Sequence, residues 1–143
     1  TFRIPTSPAQ PVQAIVFEFC DAPLGTCNTT NTPTIPASST VSQSGWAPAT
    51  AFGSYTQQNG ASGGTGNQIE ISRTAAGNVT SVSPTDVTIG FTGLTHQANP
   101  NRSFYPRIRL YSDSGATTLV WEGAVAHSTS QTLTVNARVQ EIL

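Results

Sequence analysis

Apolar and polar residues alternate along this chain with a period of two, and no window of useful length carries a helical period. The segment from Val12 to Cys20 shows it first. Ile15, Phe17 and Phe19 share one face and Val12, Ala14 and Val16 the other, so this strand is apolar on both sides and suits the middle of a sandwich or a place beneath a partner. Further strands are predicted within 46–57, around Trp46, Phe52 and Tyr55, and over 68–74, 86–93, 103–111 and 117–126. Within 103–111, Phe104, Pro106, Ile108 and Leu110 face one way and Tyr105, Arg107, Arg109 and Tyr111 the other. Pro106 has no N–H to give a ladder, so its donor side belongs at a sheet edge or a bulge. Between strands lie a Thr/Pro/Ser-rich stretch at 28–44 with room for a short edge strand, a glycine-rich loop at 59–67, and the turn signal Asp113-Ser114-Gly115. About seven to nine short strands separated by turn signals predict an all-β fold, a single antiparallel β-sandwich of Ig-like or jelly-roll type.

The two ends extend this pattern. Residues 1–11 carry Pro5, Pro8 and Pro11, which fix φ and remove donors, so they predict an extended, polyproline-like arm from which Phe2 and Ile4 can dock on a neighbouring surface. The domain proper is expected over 12–143. Its last segment, 130–143, reads as a strand in which Leu133, Val135, Ala137 and Val139 alternate with polar residues before the apolar pair Ile142 and Leu143. Such a strand either closes its own sheet or completes a neighbour's. Phe2, Ile4, Leu133, Val135, Val139, Ile142 and Leu143 are therefore the expected subunit interface.

Composition narrows the function. The chain has 143 residues, one domain's worth, and only 9% of them are charged, against roughly 25% in ordinary soluble domains. A net charge of −1 leaves no electrostatic footprint for nucleic acid, and no apolar run is long enough to span a membrane. A hydroxyl-rich, charge-poor surface suits an extracellular protein and weakens repulsion between copies. All the cations are arginine, so lysine isopeptide cross-links are excluded, and copies that join do so non-covalently or through cysteines. Cys20 and Cys27 flank a turn-rich loop and are expected to form a disulfide worth about 2.5 kcal/mol. A metal is the competing reading, but the ligands left to complete a site, His96 and His127, lie far off in sequence. No signal peptide is present and Thr1 is not a translation start, which predicts a trimmed chain.

Catalytic patterns are weak. Gly60-Ala61-Ser62-Gly63-Gly64 fits a nucleophile motif but lies in a glycine-rich loop with no helix to follow. His96 or His127 with a serine and Asp21, Asp86 or Asp113 makes a triad only on paper. No acid pair at motif spacing, phosphate loop or calcium loop is present, so neither an enzyme nor a cofactor is expected. Tyr105, Arg107, Arg109 and Tyr111 form a candidate ligand or interface stripe, and Trp46 and Trp121 could join the tyrosines in a sugar-binding face. Asn28, Asn78 and Asn101 head glycosylation sequons.

At Phe19-Cys20…Pro23-Leu24-Gly25-Thr26-Cys27, at Phe104-Tyr105-Pro106-Arg107-Ile108 and from Gln131 to Glu141, the chain resembles a group of secreted, Thr-rich β-sandwich surface proteins of ultra-small candidate-phylum (Patescibacteria-like) bacteria. The likeness covers most of 12–143. It implies secretion and trimming at both ends, and it implies no activity. Two functions are expected from these readings. The first is a structural subunit of an extracellular, pilus-like filament or surface assembly, a homopolymer joined by strand donation. The alternative is a secreted monomeric adhesin or carbohydrate-binding module with a glycan or host surface as partner.

Overall fold

The computed structural model describes residues 2, 11–36, 40–45, 52, 54–58, 67–73, 79–80 and 87–130. Within them the chain is all-β, with no helix, and every strand pairing is antiparallel. The strands are β1 (Pro11–Val12), β2 (Ala14–Cys20), β3 (Thr40–Ser44), β4 (Ser54–Gln58), β5 (Gln68–Ser72), β6 (Val79–Thr80), β7 (Thr88–Thr92), β8 (Arg102–Tyr111), β9 (Leu119–Ala124) and β10 (His127–Thr129). Ile4, Trp46, the 60–64 motif, Asn78, Asp86 and the expected interface residues Leu133, Val135, Val139, Ile142 and Leu143 lie outside the described residues.

One sheet organises the rest. Its order runs β8–β2–β5–β4, with β9 and β10 both on the far edge of β8. β2 sits at its centre, and all seven of its residues are buried, as expected of a strand apolar on both faces. Ile15, Phe17 and Phe19 enter the main core with Ile69, Ile71, Phe104 and Leu110, while Ala14 and Val16 pack with Tyr111 on the opposite face. Val12 departs from the sequence reading, which put it with Ala14 and Val16. It joins the main core, because β1 leaves the sheet at Gln13 to pair with β6.

A two-stranded ribbon, β3 with β7, lays Val41, Ile89 and Phe91 against the same core, and the Phe17 and Phe91 rings meet edge-on with centroids 5.0 Å apart. Gly90 faces Ser42 across this ribbon, where a Cβ would come within 2.6 Å of the serine Oγ, so a larger residue would require the Ser42 hydroxyl to turn away. Gln43 holds the buried Phe52 much as a strand would. Its side-chain amide donates to the Phe52 carbonyl (2.6 Å) and accepts from the Phe52 N–H (3.0 Å).

Pro106 was expected at an edge or a bulge, yet β8 is paired on both sides. Its carbonyl accepts from Val125 N–H (3.1 Å), so the side of the backbone that lacks a donor faces β9 and β10. β9 stops at Ala124 and β10 resumes at His127, so the missing donor falls in the gap between two strands. Two short strands, β6 and β10, were not anticipated from the alternation; at two and three residues they are too short to show one.

The β8–β9 turn closes on Asp113. Its carboxylate accepts from the N–H groups of Gly115 (3.0 Å), Thr117 (3.1 Å) and Thr118 (2.6 Å), and these bonds, led by that from Thr118, lower its pKa below the ordinary 3.8.

Two predictions follow from this packing. Ile15→Ala removes a fully buried side chain from the central strand and should cost about 2–5 kcal/mol in a urea titration. The Asp113 contribution is present above pH 3.8 and is lost as pH falls through the lowered value. The stability gap between the native chain and Asp113→Asn should therefore be constant near neutral pH and shrink in acid; a gap unchanged in acid would refute the assignment.

Candidate functional site

The alternation of β8 creates two distinct sites, one on each face of the sheet. Phe104, Pro106 and Ile108 point to the side where β2 presents Phe17 and Phe19 and where β7 lies across with Ile89 and Phe91. Sheet and ribbon do not close fully on each other. Between them is a pocket of about 350 Å³. Its floor is aromatic. Pro33 and Leu94 reach its wall because Thr34 and Thr95 exchange both backbone bonds (2.9 and 3.0 Å). Its mouth is formed by Val125, His96 and His127, all exposed. The His127 ring stacks on Phe104, with centroids 5.5 Å apart. No acidic or arginine side chain appears among the described residues that line it. Such a space suits an apolar group, with His96 and His127 as the ionisable side chains of its described lining.

Phe2 completes one wall. Its N–H donates to the Val87 carbonyl (2.9 Å), the Val87 N–H donates back (2.8 Å), and its ring meets Phe17 with centroids 6.3 Å apart. Phe2 was expected to dock on a neighbouring surface. Here it docks on its own chain, as an extra strand residue just before β7, 85 positions away in sequence.

On the opposite face stands the stripe of Tyr105, Arg107, Arg109 and Tyr111. The register sets these against Cys20, Glu18, Val16 and Ala14 of β2. Tyr111 is buried against Ala14 and Val16. Arg109 pairs with Glu18, a carboxylate only 4% exposed that needs a cation at that depth. Arg107 donates through Nε (3.1 Å) and one terminal nitrogen (2.9 Å) to the Ala22 carbonyl, and through the other (2.6 Å) to Gly25. Both carbonyls belong to the loop between Cys20 and Cys27, which are disulfide-bonded with Cα atoms 4.9 Å apart. Three of the four side chains are thus engaged within the chain, in packing or in holding the loop. Trp121 packs against the main core.

The remaining candidates are dispersed. Donor atoms of Glu18, Cys20 and Cys27 lie within 4.8 Å of one another, but both sulfurs are spent in the disulfide and the carboxylate is paired with Arg109, so the group does not fit a metal. Both histidines line the pocket, while Asp113 closes the β8–β9 turn. Asn28 and Asn101 are exposed; the Asn28 amide oxygen accepts from the Thr30 hydroxyl (2.7 Å), and Asn101 takes a φ of +57°. No protein-family model, curated protein or solved structure matches the chain.

Alternation put Phe17 and Phe19 on one strand face and Phe104 and Ile108 on another, but it carried no signal that these faces bound a pocket. It held no signal for the mouth, because His96 and Val125 arrive through loops. Arg107 should hold the disulfide loop through its planar fork. Arg107→Lys offers a single charged point and should release the loop nearly as fully as Arg107→Ala. Hydrogen exchange at residues 22–26 should quicken in both variants while β2 amides stay protected; protection retained in the lysine variant would show that charge alone suffices.

Proposed function

We propose that this chain is a structural subunit of an extracellular filament or surface assembly, built on an antiparallel β-sandwich and joined to its copies non-covalently by strand exchange. The observation that carries the reading is the Phe2–Val87 pairing. A residue at the far end of a proline-rich segment contributes two backbone bonds and an aromatic ring to the edge beside β7. The same contact made to a second copy needs no new chemistry, which is why exchange of an identical element is a low-cost route to assembly. The intervening prolines favour an extended segment and disfavour its folding back as a strand. The alternating sequence of 130–143, outside the described residues from 131 onward, offers a second element for exchange: burying Leu133, Val135 and Val139 against a second copy would contribute about 1.5–3 kcal/mol each before ordering costs.

Other features agree with this setting. A disulfide suits an oxidising compartment. No helix among the described residues is long and apolar enough to cross a membrane. The stripe that would serve a carbohydrate-binding module has Tyr111 buried and both arginines bonded within the chain, which favours the assembly reading over the glycan one.

Electron microscopy and sedimentation of the purified protein in plain buffer test the proposal. Polymers with a regular repeat are expected, and Phe2→Asp should shorten or abolish them while β-sheet circular dichroism persists. Particles of 14.9 kDa at every concentration would end the reading. Polymers unaffected by Phe2→Asp would remove residue 2 from the joint.

A further inference from the structure

The disulfide loop and the apolar pocket are complementary features on opposite faces of one sheet. At the loop tip, Leu24 is 70% exposed, the most exposed of the large apolar side chains described. It is also held firmly for a loop residue. The bond between Cys20 and Cys27 closes the loop, Gly25 turns it with a φ of +78°, and Arg107 fixes the carbonyls on either side of the Pro23-Leu24 pair. An apolar side chain presented this way has already lost much of the freedom that binding would remove.

The pocket is the matching feature. It is concave, aromatic-floored and uncharged, and it opens beside the exposed Val125. Phe104, Pro106 and Ile108 line it, while Arg107 on the alternate face holds the Leu24 loop. Because successive strand residues point to opposite faces, knob and pocket lie on opposite sides of β8. The loop that carries the exposed Leu24 is thus held from the face opposite the pocket, and a second copy can receive it.

We propose that Leu24 of one copy seats in the Phe17/Phe104/Val125 pocket of the next, forming a second, head-to-tail joint. This rests on the reading of the chain as a self-assembling subunit and adds a contact independent of strand exchange. A joint between two different surfaces does not close on itself, so repetition extends the assembly in one direction.

Proximity is tested directly by cysteine pairing. The chain has two cysteines, both in the disulfide, so introduced thiols react without competition. Mixed copies bearing Leu24→Cys and Val125→Cys should cross-link to each other on mild oxidation. Leu24→Asp should weaken self-association roughly ten- to a hundred-fold, as expected for losing one buried leucine. Both sites are exposed, so folding should persist, and Leu24→Ser serves as a milder second variant.

Four outcomes overturn the proposal. If the unmodified chain assembles and Leu24→Asp assembles equally well, this joint falls and strand exchange stands. Cross-links only between two Leu24→Cys copies would point to a symmetric contact. Anilinonaphthalene sulfonate should bind the Leu24→Asp variant better than the assembled native chain; equal binding would leave the pocket to a small apolar ligand. An unmodified chain that stays single at every concentration ends both readings.

Discussion

The burial of β2 on both faces is the constraint on which the rest of this structure depends. A strand in that position needs its backbone groups paired. β2 pairs with β5 on one side and β8 on the other. Beyond the end of β5, the Asn67 carbonyl accepts from Phe19 N–H (3.0 Å) and the Asn67 side-chain amide donates to the Phe19 carbonyl (3.2 Å). Each face must also be covered. One face draws in β7, Phe52 and Phe2 to surround the aromatic residues of β2. The other is narrower, with Ala14 and Val16 packed by Tyr111, and gives way towards Cys20 to charged residues. The difference follows from side-chain size. Three large residues on one face require a covering layer, whereas alanine and valine on the other are covered by a neighbouring strand's tyrosine.

The charge on that second face is a consequence of the same burial. Glu18 lies in a strand that leaves it only 4% exposed, and an unpaired carboxylate at that depth would cost several kcal/mol. Arg109 meets it diagonally across the β2–β8 pair, and Glu122 of β9 stands opposite the same arginine. Arg107, two residues along, has Glu18 as its register partner yet gives its donors to loop carbonyls. Two arginines on one strand face thus have different duties. One neutralises the buried acid and the other secures the disulfide loop. A lysine could replace the charge of either but not the forked donation made by Arg107.

Much of this was legible from alternation. The strands predicted over 12–20, 68–74, 86–93, 103–111 and 117–126 correspond to β2, β5, β7, β8 and β9, and the one predicted within 46–57 corresponds to β4, because in each apolar and polar residues alternate. The Cys20–Cys27 bond was legible from spacing and loop chemistry. The fate of the stripe was not. Tyr105, Arg107, Arg109 and Tyr111 read equally well as a binding face and as packing, since sequence does not say what lies across from a strand face. Here the answer comes from Glu18 and from the carbonyls of Ala22 and Gly25, all remote in sequence from β8. Phe2 was legible as an apolar residue needing cover, but the edge beside Val87 that covers it could not be found by local pattern.

Pro106 shows how one backbone atom can shape a site. A residue with an N–H at this position would complete the bonded pair with Val125 and let β9 run without interruption into β10, since both keep the same register against β8. The missing donor instead divides them. Val125 falls in the gap and is 48% exposed, and His127 begins the next strand with its ring on Phe104. Both residues form the pocket mouth. The pocket is therefore open where the sheet is interrupted, and the interruption traces to the proline ring. A sheet interior normally excludes proline because the ladder loses a bond. At this position the same loss separates two edge strands and leaves an aromatic-floored space accessible from solvent.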